Sequence, residues 1–266
     1  MKSQKEIQLN QEIQRMASGA ALKAARLLIT DPEIKHLQDY ANVVSIKRLG
    51  YNDHGPVHMR KVAINSLLMA ALLRKANITL SLETEGIGSF EDSTTALLMA
   101  SFLHDIGMTV GRDNHEKNAA LIALPILDRL LPEIYRDDHA KRVIIRSLVL
   151  EGILGHMAGH RVHSLEAGIV LIADGCDMEH GRARIPILLT TESRVGDIHK
   201  YSAAAIQDVE IKRGDKRPIK ITVTMKDTVG FFQIEEVLFK KINSSTVKPY
   251  IELYAGVIDR PMKCYL

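Results

Sequence analysis

The chain has no long apolar run. No stretch approaches the roughly 18 uncharged residues that a membrane-spanning helix requires. Its two cysteines, Cys176 and Cys264, lack CxxC spacing, which argues against a disulfide framework and fits a reducing compartment. Charge of one sign is also scarce. A net charge of +3 over 266 residues is too small to point to nucleic acid or an anionic membrane surface. The start, Met1-Lys2-Ser3-Gln4-Lys5-Glu6, opens a polar stretch and does not read as a signal peptide. There is no internal repeat and no low-complexity segment. These absences lead to the expectation of a soluble, cytoplasmic protein with no membrane or nucleic-acid partner. What remains is ordinary for a globular chain: 46% hydrophobic and 25% charged residues, enough apolar surface for a sizeable core.

One stretch organises the rest. Thr94 to Leu103 is apolar, and Ala96, Met99, Ala100 and Leu103 recur at steps of three and four, which predicts a helix with a buried face. It ends in Ser101-Phe102-Leu103-His104-Asp105-Ile106-Gly107. Gly107 reads as the residue just past the helix end, where a left-handed backbone is wanted. His104 and Asp105 then sit in the last turn of a core helix. A buried carboxylate beside an imidazole costs several kcal/mol unless charge compensates it. A divalent cation is the simplest compensator, because imidazole nitrogen and carboxylate oxygen suit Zn, Mn, Fe or Ni. The bland reading of the dipeptide alone is an ion pair at a helix end.

Two other positions shift that balance. Pro56 fits the first position of a helix, which places His58 on its first turn. Asp174 lies in the apolar run Ile172-Ala173-Asp174-Gly175-Cys176-Asp177-Met178. A His, a His-Asp pair and a distant Asp, each on its own helix, make a plausible set of four metal ligands. With the contexts His58-Met59-Arg60-Lys61-Val62-Ala63 and Leu103-His104-Asp105-Ile106-Gly107, the chain resembles the HD-domain superfamily of metal-dependent phosphohydrolases over about residues 50–200. The family's His, His-Asp, Asp pattern falls on His58, His104, Asp105 and Asp174.

The resemblance implies more candidates. Some relatives, the HD-GYP phosphodiesterases among them, carry a further His at the start of the helix after the His-Asp pair; His115 resembles it, and His156 resembles the extra ligand that two-metal members place at the end of the next helix. Two ions roughly 3.5–4 Å apart would suit in-line attack at phosphorus. The chain lacks the Gly-Tyr-Pro signature and paired His-His of the HD-GYP group, so cyclic-dinucleotide cleavage is not supported. Arg112 is a candidate phosphate clamp or a surface arginine. Arg182 either reaches substrate phosphate or complements a helix C-terminus. Lys61, Arg112 and Arg182 are the candidates for neutralising charge that develops on phosphorus. Asp53 reads as a loop cap rather than a partner of His58; His54 stays open between holding the His58 ring and capping the loop, and His160 and His163 between facing substrate and plain exposure.

Along the chain, residues 1–48 read as helices, with Asp31 and Pro32 as cap and first residue. Residues 56–76 form an apolar helix, 77–93 a loop or short insertion, and 132–155 another helical stretch. Asp113 or Asn114 is placed to cap the helix at His115, and Ser164 to cap one running from Leu165 to His180. Arg184-Ile185-Pro186 breaks the pattern, and Glu192 to Ala205 reads as a final short helix. From Ile206 the period changes from about 3.6 to 2. Val209 and Ile211, then Ile219, Ile221, Val223 and Met225 alternate around a turn at Gly214–Pro218. A helical stripe follows (Phe231, Ile234, Leu238, Ile242), and then a third strand (Ile251, Leu253, Ala255, Val257). The expected architecture is mainly α: a helical HD-type domain over residues 1–205 and a small β-β-α-β unit over 206–266. A unit that small must pack on the helical domain or on another subunit, and its edge strands favour a homodimer. Lys212, Arg213, Lys216, Arg217 and Lys220 make its hairpin basic, either a solvated turn or a site for an anionic effector.

The reading is therefore a metal-dependent phosphohydrolase that uses metal-activated water on a small phosphorylated substrate: a phosphomonoester, a nucleotide or a phosphodiester. The resemblance implies one or two divalent ions per chain (Mn, Ni, Fe, Zn, Co or Mg), with Asp105 bridging if there are two. Two other classes fit the same residues: a non-catalytic regulator that binds a nucleotide or metal and signals through a C-terminal dimer, and an HD-type iron oxygenase.

Overall fold

The computed structural model describes residues 3–178 and 198–266. Its helical part comprises α1 (Gln4–Met16), α2 (Gly19–Thr30), α3 (Pro32–Val43), α4 (Pro56–Lys75), the single turn α5 (Ser81–Thr84), α6 (Phe90–Leu103), α7 (His115–Tyr135), α8 (His139–Gly155), α9 (Leu165–Cys176) and α10 (Ile198–Ala205). α3 runs on into a π-helical turn, Val44–Arg48. The expected capping chemistry is present: Asp31 accepts from the Ile34 N–H, with Pro32 at the first position of α3, and Ser164 accepts from the Ala167 N–H.

α6 lies at the centre. From Asp92 to Leu103 every residue is buried, and α2, α4, α8 and α9 pack around it. The helix begins at Phe90, four residues before the apolar run. Its first turn is built by a capping box, in which Ser89 Oγ accepts from the Asp92 N–H and Asp92 accepts from the Ser89 N–H. Asp92, Ser93, Thr94 and Thr95 are all buried polar residues. Thr94 and Thr95 hydroxyls donate back to the carbonyls of Phe90 and Glu91, and Ser93 Oγ donates 2.7 Å to Glu166. Internal hydrogen bonds thus carry polar positions that a pattern of apolar spacing does not register. The segment 77–93, expected to be a loop, also contains α5, which Glu166 anchors by accepting the Ser81 and Leu82 N–H groups.

Two helix ends differ from expectation. α7 continues to Tyr135, and α8 starts anew at His139 under an Asp138 cap, so 132–155 is not one helix. α9 ends at Cys176. The Leu165 to His180 expectation beyond Met178, the break at Arg184-Ile185-Pro186 and the Glu192–Asp197 part of the last helix lie outside the described residues.

A four-stranded sheet follows, ordered β1 (Ile206–Arg213), β2 (Ile219–Met225), β3 (Ile251–Val257), β4 (Lys263–Cys264). β1 and β2 form an antiparallel hairpin with Ile211 opposite Ile221. β2 and β3 are parallel, with Ile221 opposite Leu253, and the intervening helical segment makes the crossover. That segment comprises Phe231–Gln233, a π-helical turn at Ile234–Leu238, and a C-terminal helix at Phe239–Ser244. Ile219, Ile221, Val223 and Met225 are buried and share one core with Ile234, Leu238 and Ile242. The small β4 adds a strand to the expected β-β-α-β unit. The sheet does not stand apart: its β1 and β2 pack on α4, and the C-terminal helix packs on α9. Among the described residues no helix is long and apolar enough to cross a membrane.

Candidate metal centre

The site forms where helix ends meet. His58 is the third residue of α4, His104 the residue that closes α6, His115 the first residue of α7, His156 the residue that closes α8, and Asp174 lies in the last turn of α9. Asp105 follows His104 directly, outside the helix proper. All six are buried, none more than 8% exposed.

Gly107 holds this assembly close, though not as expected. Its φ is not positive; it sits in a 3-10 turn, Ile106–Thr109. A Cβ there would lie 1.9 Å from the His115 carbonyl oxygen and 2.4 Å from the Ala119 nitrogen. The glycine is required because the backbone of α7 passes against it, which brings His115 to Asp105. The start of α7 also departs from expectation. Asn114 occupies the cap position with φ +53°, and its side chain makes no cap hydrogen bond among the described residues.

Each histidine commits its Nδ1. His104 Nδ1 donates 2.9 Å to the Ser101 carbonyl, His115 Nδ1 2.9 Å to the Arg112 carbonyl, and His156 Nδ1 2.6 Å to the Ile153 carbonyl. His58 Nδ1 lies 2.7 Å from Asp177 Oδ2. Carbonyls and carboxylates only accept, so in each uncharged ring the proton is at Nδ1 and the lone pair at Nε2. The four Nε2 atoms converge in two pairs. His58 and His104 are 3.2 Å apart, and His115 and His156 3.1 Å.

Asp105 stands between the pairs and faces each with a different oxygen. Its Oδ2 is 3.2 Å from His58 Nε2 and 3.3 Å from His104 Nε2. Its Oδ1 is 3.3 Å from His115 Nε2 and 3.5 Å from His156 Nε2. Asp174 Oδ1 completes the first pair, 3.2 Å from His58 Nε2 and 3.8 Å from His104 Nε2. With the rings uncharged, the lone pairs of six groups point at one another; with the rings protonated, they would offset the charge of the two carboxylates. This donor set fits divalent cations. The groups His58–His104–Asp174 and His104–Asp105–His156 each have the spacing to hold one.

Burial pushes the Asp105 and Asp174 carboxyls up, but their neighbours outweigh it and hold both well below the usual carboxylate range. For Asp105 these are chiefly His104 and His54; for Asp174, chiefly Lys241, followed by His58 and His104. Burial pushes the His156 imidazole down to about 4, which keeps it uncharged and available as a ligand.

Other expected residues are placed as follows. Lys61 Nζ pairs with Asp177 Oδ1 at 3.1 Å, and through Asp177 it abuts His58. Arg112 stacks over the Tyr51 ring, 5.8 Å from its centroid. His54 is half-buried, its ring centroid 6.0 Å from that of His58 and its Nδ1 between Ser45 Oγ and the Asn52 carbonyl. Asp53 accepts the Gly55 N–H just before α4, as its capping reading expected. His160 and His163 are exposed; the described candidate ligand groups do not include them. Arg182 lies outside the described residues. Sequence reasoning missed two contributors. Asp177 had a signal, since it follows Asp174 by three residues; Lys241 had none. The C-terminal helix carries Lys241 to Asp174 Oδ2 and, at 2.9 Å, to the His156 carbonyl.

Comparison with known proteins agrees with this geometry. The HD domain model matches residues 58–179, which span from the first histidine past the last aspartate. The chain is 41% identical over 230 residues to a protein of Methanocaldococcus jannaschii named Uncharacterized protein MJ1020; the match covers 86% of each chain. No solved structure matches significantly. A centre assembled from the family's own His, His-Asp, Asp pattern, inside the matched segment, places the chain in the HD-domain family.

Proposed function

We propose that the protein is a metal-dependent phosphohydrolase that binds two divalent cations and cleaves a small phosphate ester. The observation that carries this reading is the convergence of four Nδ1-committed histidines on the two faces of one aspartate. His58, His104 and Asp174 would hold one ion, His115 and His156 the other, and Asp105 would bridge them. Bound divalent cations supply Lewis acidity toward water and toward a phosphoryl oxygen.

The chain's own groups do the rest. Asp177 orients His58 and fixes its tautomer. Burial excludes bulk water from the carboxylates and so strengthens their hold on charge. Arg112 and Lys61, with Arg182, are the cations we assign to the charge of the phosphoryl group, the guanidinium groups by paired hydrogen bonds. Residues 1–205 form the hydrolytic domain in this reading, and residues 206–266 a small unit docked on it.

The test is metal content and turnover on one preparation. Protein purified without added metal should carry Mn, Fe, Ni, Co or Zn at up to two ions per chain, and Asp105→Ala should lose both. Wild type should release phosphate or a nitrophenol from a panel of phosphomonoesters, nucleotides and bis(nitrophenyl) phosphate, and Asp105→Ala should not. Absence of bound metal, together with failure to take up Mn on dialysis, would refute the reading.

A further inference from the structure

The family model ends at residue 179, yet a cation from far beyond it enters the centre. Lys241, on the C-terminal helix Phe239–Ser244, is 8% exposed. Its Nζ contacts Asp174 Oδ2 and donates 2.9 Å to the carbonyl of His156. The same ammonium thus touches a candidate ligand of the first ion and the backbone of a candidate ligand of the second. The Asp174 carboxylate is divided by this contact: Oδ2 is held by Lys241, while Oδ1 faces His58 Nε2 at 3.2 Å.

The approach is built into α9. Gly168 and Gly175 are seven residues apart and so lie on one face of the helix. A Cβ on Gly175 would come within 3.0 Å of Lys241 Cδ and 3.3 Å of Leu238 Cδ1. A Cβ on Gly168 would lie 2.2 Å from Thr246 Oγ1. Into this smooth face the end of the C-terminal helix is pinned by two hydrogen bonds: Ser245 Oγ donates 2.9 Å to the Gly168 carbonyl, and Thr246 Oγ1 donates 2.7 Å to the Ser164 carbonyl.

Resting on the metal-centre reading above, we propose that the C-terminal α+β unit completes that centre, with Lys241 as a positioning residue. By occupying one oxygen of Asp174, Lys241 presents the carboxylate to the first ion through the other oxygen alone and fixes its direction. Without it, a buried carboxylate has two equivalent oxygens and no fixed orientation.

The test is Mn2+ titration of the full chain by calorimetry and electron paramagnetic resonance, for wild type, Lys241→Met, Lys241→Arg and Lys240→Met. Lys240 is an exposed neighbour paired with Glu236 and serves as the control. Support is a loss of Mn2+ affinity of about 10–100-fold in Lys241→Met, the range seen when the partner of a ligating carboxylate is removed, with recovery in Lys241→Arg and no change in Lys240→Met. Affinity of Lys241→Met within about twofold of wild type, or tighter, would overturn the proposal and leave Lys241 as a brace, since loss of the hydrogen-bonded partner should be felt well beyond that margin.

A second measurement needs no folded Met variant. In wild type labelled with 15N-lysine, one slowly exchanging ammonium signal, absent from Lys241→Arg, should shift on Zn2+ addition; an unshifted or solvent-averaged signal overturns the proposal. Should wild type bind no Mn2+ at all, the metal-centre reading falls and this inference with it. Normal wild-type binding with an unaffected Lys241→Met overturns this inference alone.

Discussion

His58 is held by Asp177 and Asp177 by Lys61, a chain of three side chains that ends at the first candidate ion site. A carboxylate that accepts the Nδ1 proton keeps Nε2 as the free lone pair and makes it more basic. Asp177→Asn preserves size but removes the charge. Its expected effect is a loss of Mn2+ affinity at one of two sites by about 10–100-fold, with an unchanged circular dichroism spectrum, read by equilibrium dialysis. Gly107 makes a different demand. Ala at that position puts a methyl 1.9 Å from the backbone of His115, which cannot rotate away. Gly107→Ala should therefore destabilise the fold by about 1–3 kcal/mol or more, measured by urea unfolding, and should displace His115 so that the second ion is lost first. The positions of the family pattern were legible in the sequence because His58 and His104-Asp105 sit in recognisable local contexts, and Asp174 then follows as the pattern's last member on an apolar helix. The spacing from Asp174 marked the place of Asp177 but not its role, and nothing local marked Lys241: their partners lie 119 and 67 residues away, distances that no local pattern encodes.

At the scale of elements, α6 shows where sequence patterning stops. Its apolar half was legible, but its first turn is polar and buried, held by the Ser89–Asp92 capping box and by a 2.7 Å ion pair from Lys141 to Asp92. Burial raises the Asp92 carboxyl, but the hydrogen bonds from Lys141 and Ser89 outweigh it, and its pKa lies below the ordinary 3.8. The native state therefore binds this proton less readily than the unfolded chain. The stabilisation from Asp92 is complete above about pH 4, the unfolded value, and fades as pH falls through that value to the lower native one. Asp92→Asn should lower the melting temperature at pH 7 and show a smaller further loss between about pH 4 and pH 2 than wild type does. Parallel acid unfolding curves for the two proteins would contradict this. The sheet was the most legible element. Alternation at Ile219, Ile221, Val223 and Met225 mapped directly onto a strand buried on one face. β4, two residues long and exposed, was too short for any period to be counted.

For the molecule as a whole, the centre is a junction. Its side chains come from α4, α6, α7, α8 and α9, and from the C-terminal helix through Lys241, so the helical part and the appended unit meet at one cluster. The sequence showed the helical pattern and the change of period at Ile206, but not that the second region reaches into the first. Two buried carboxylates and four converging imidazole lone pairs favour a state in which cations are present, and any ion that binds the folded chain but not the unfolded one stabilises it by mass action. At a free Mn2+ concentration of 100 times Kd, one site contributes about 2.7 kcal/mol. A protein of this size shifts its melting temperature by about 2–4 °C per kcal/mol, so the expected rise over a chelated sample is about 5–11 °C. Scanning fluorimetry with excess EDTA against a Mn2+ series measures it. The rise should follow the logarithm of ion concentration and should vanish in Asp105→Ala, which removes the carboxylate that faces both histidine pairs. A rise with Mn2+ that persists undiminished in Asp105→Ala would place the bound ions somewhere other than this junction.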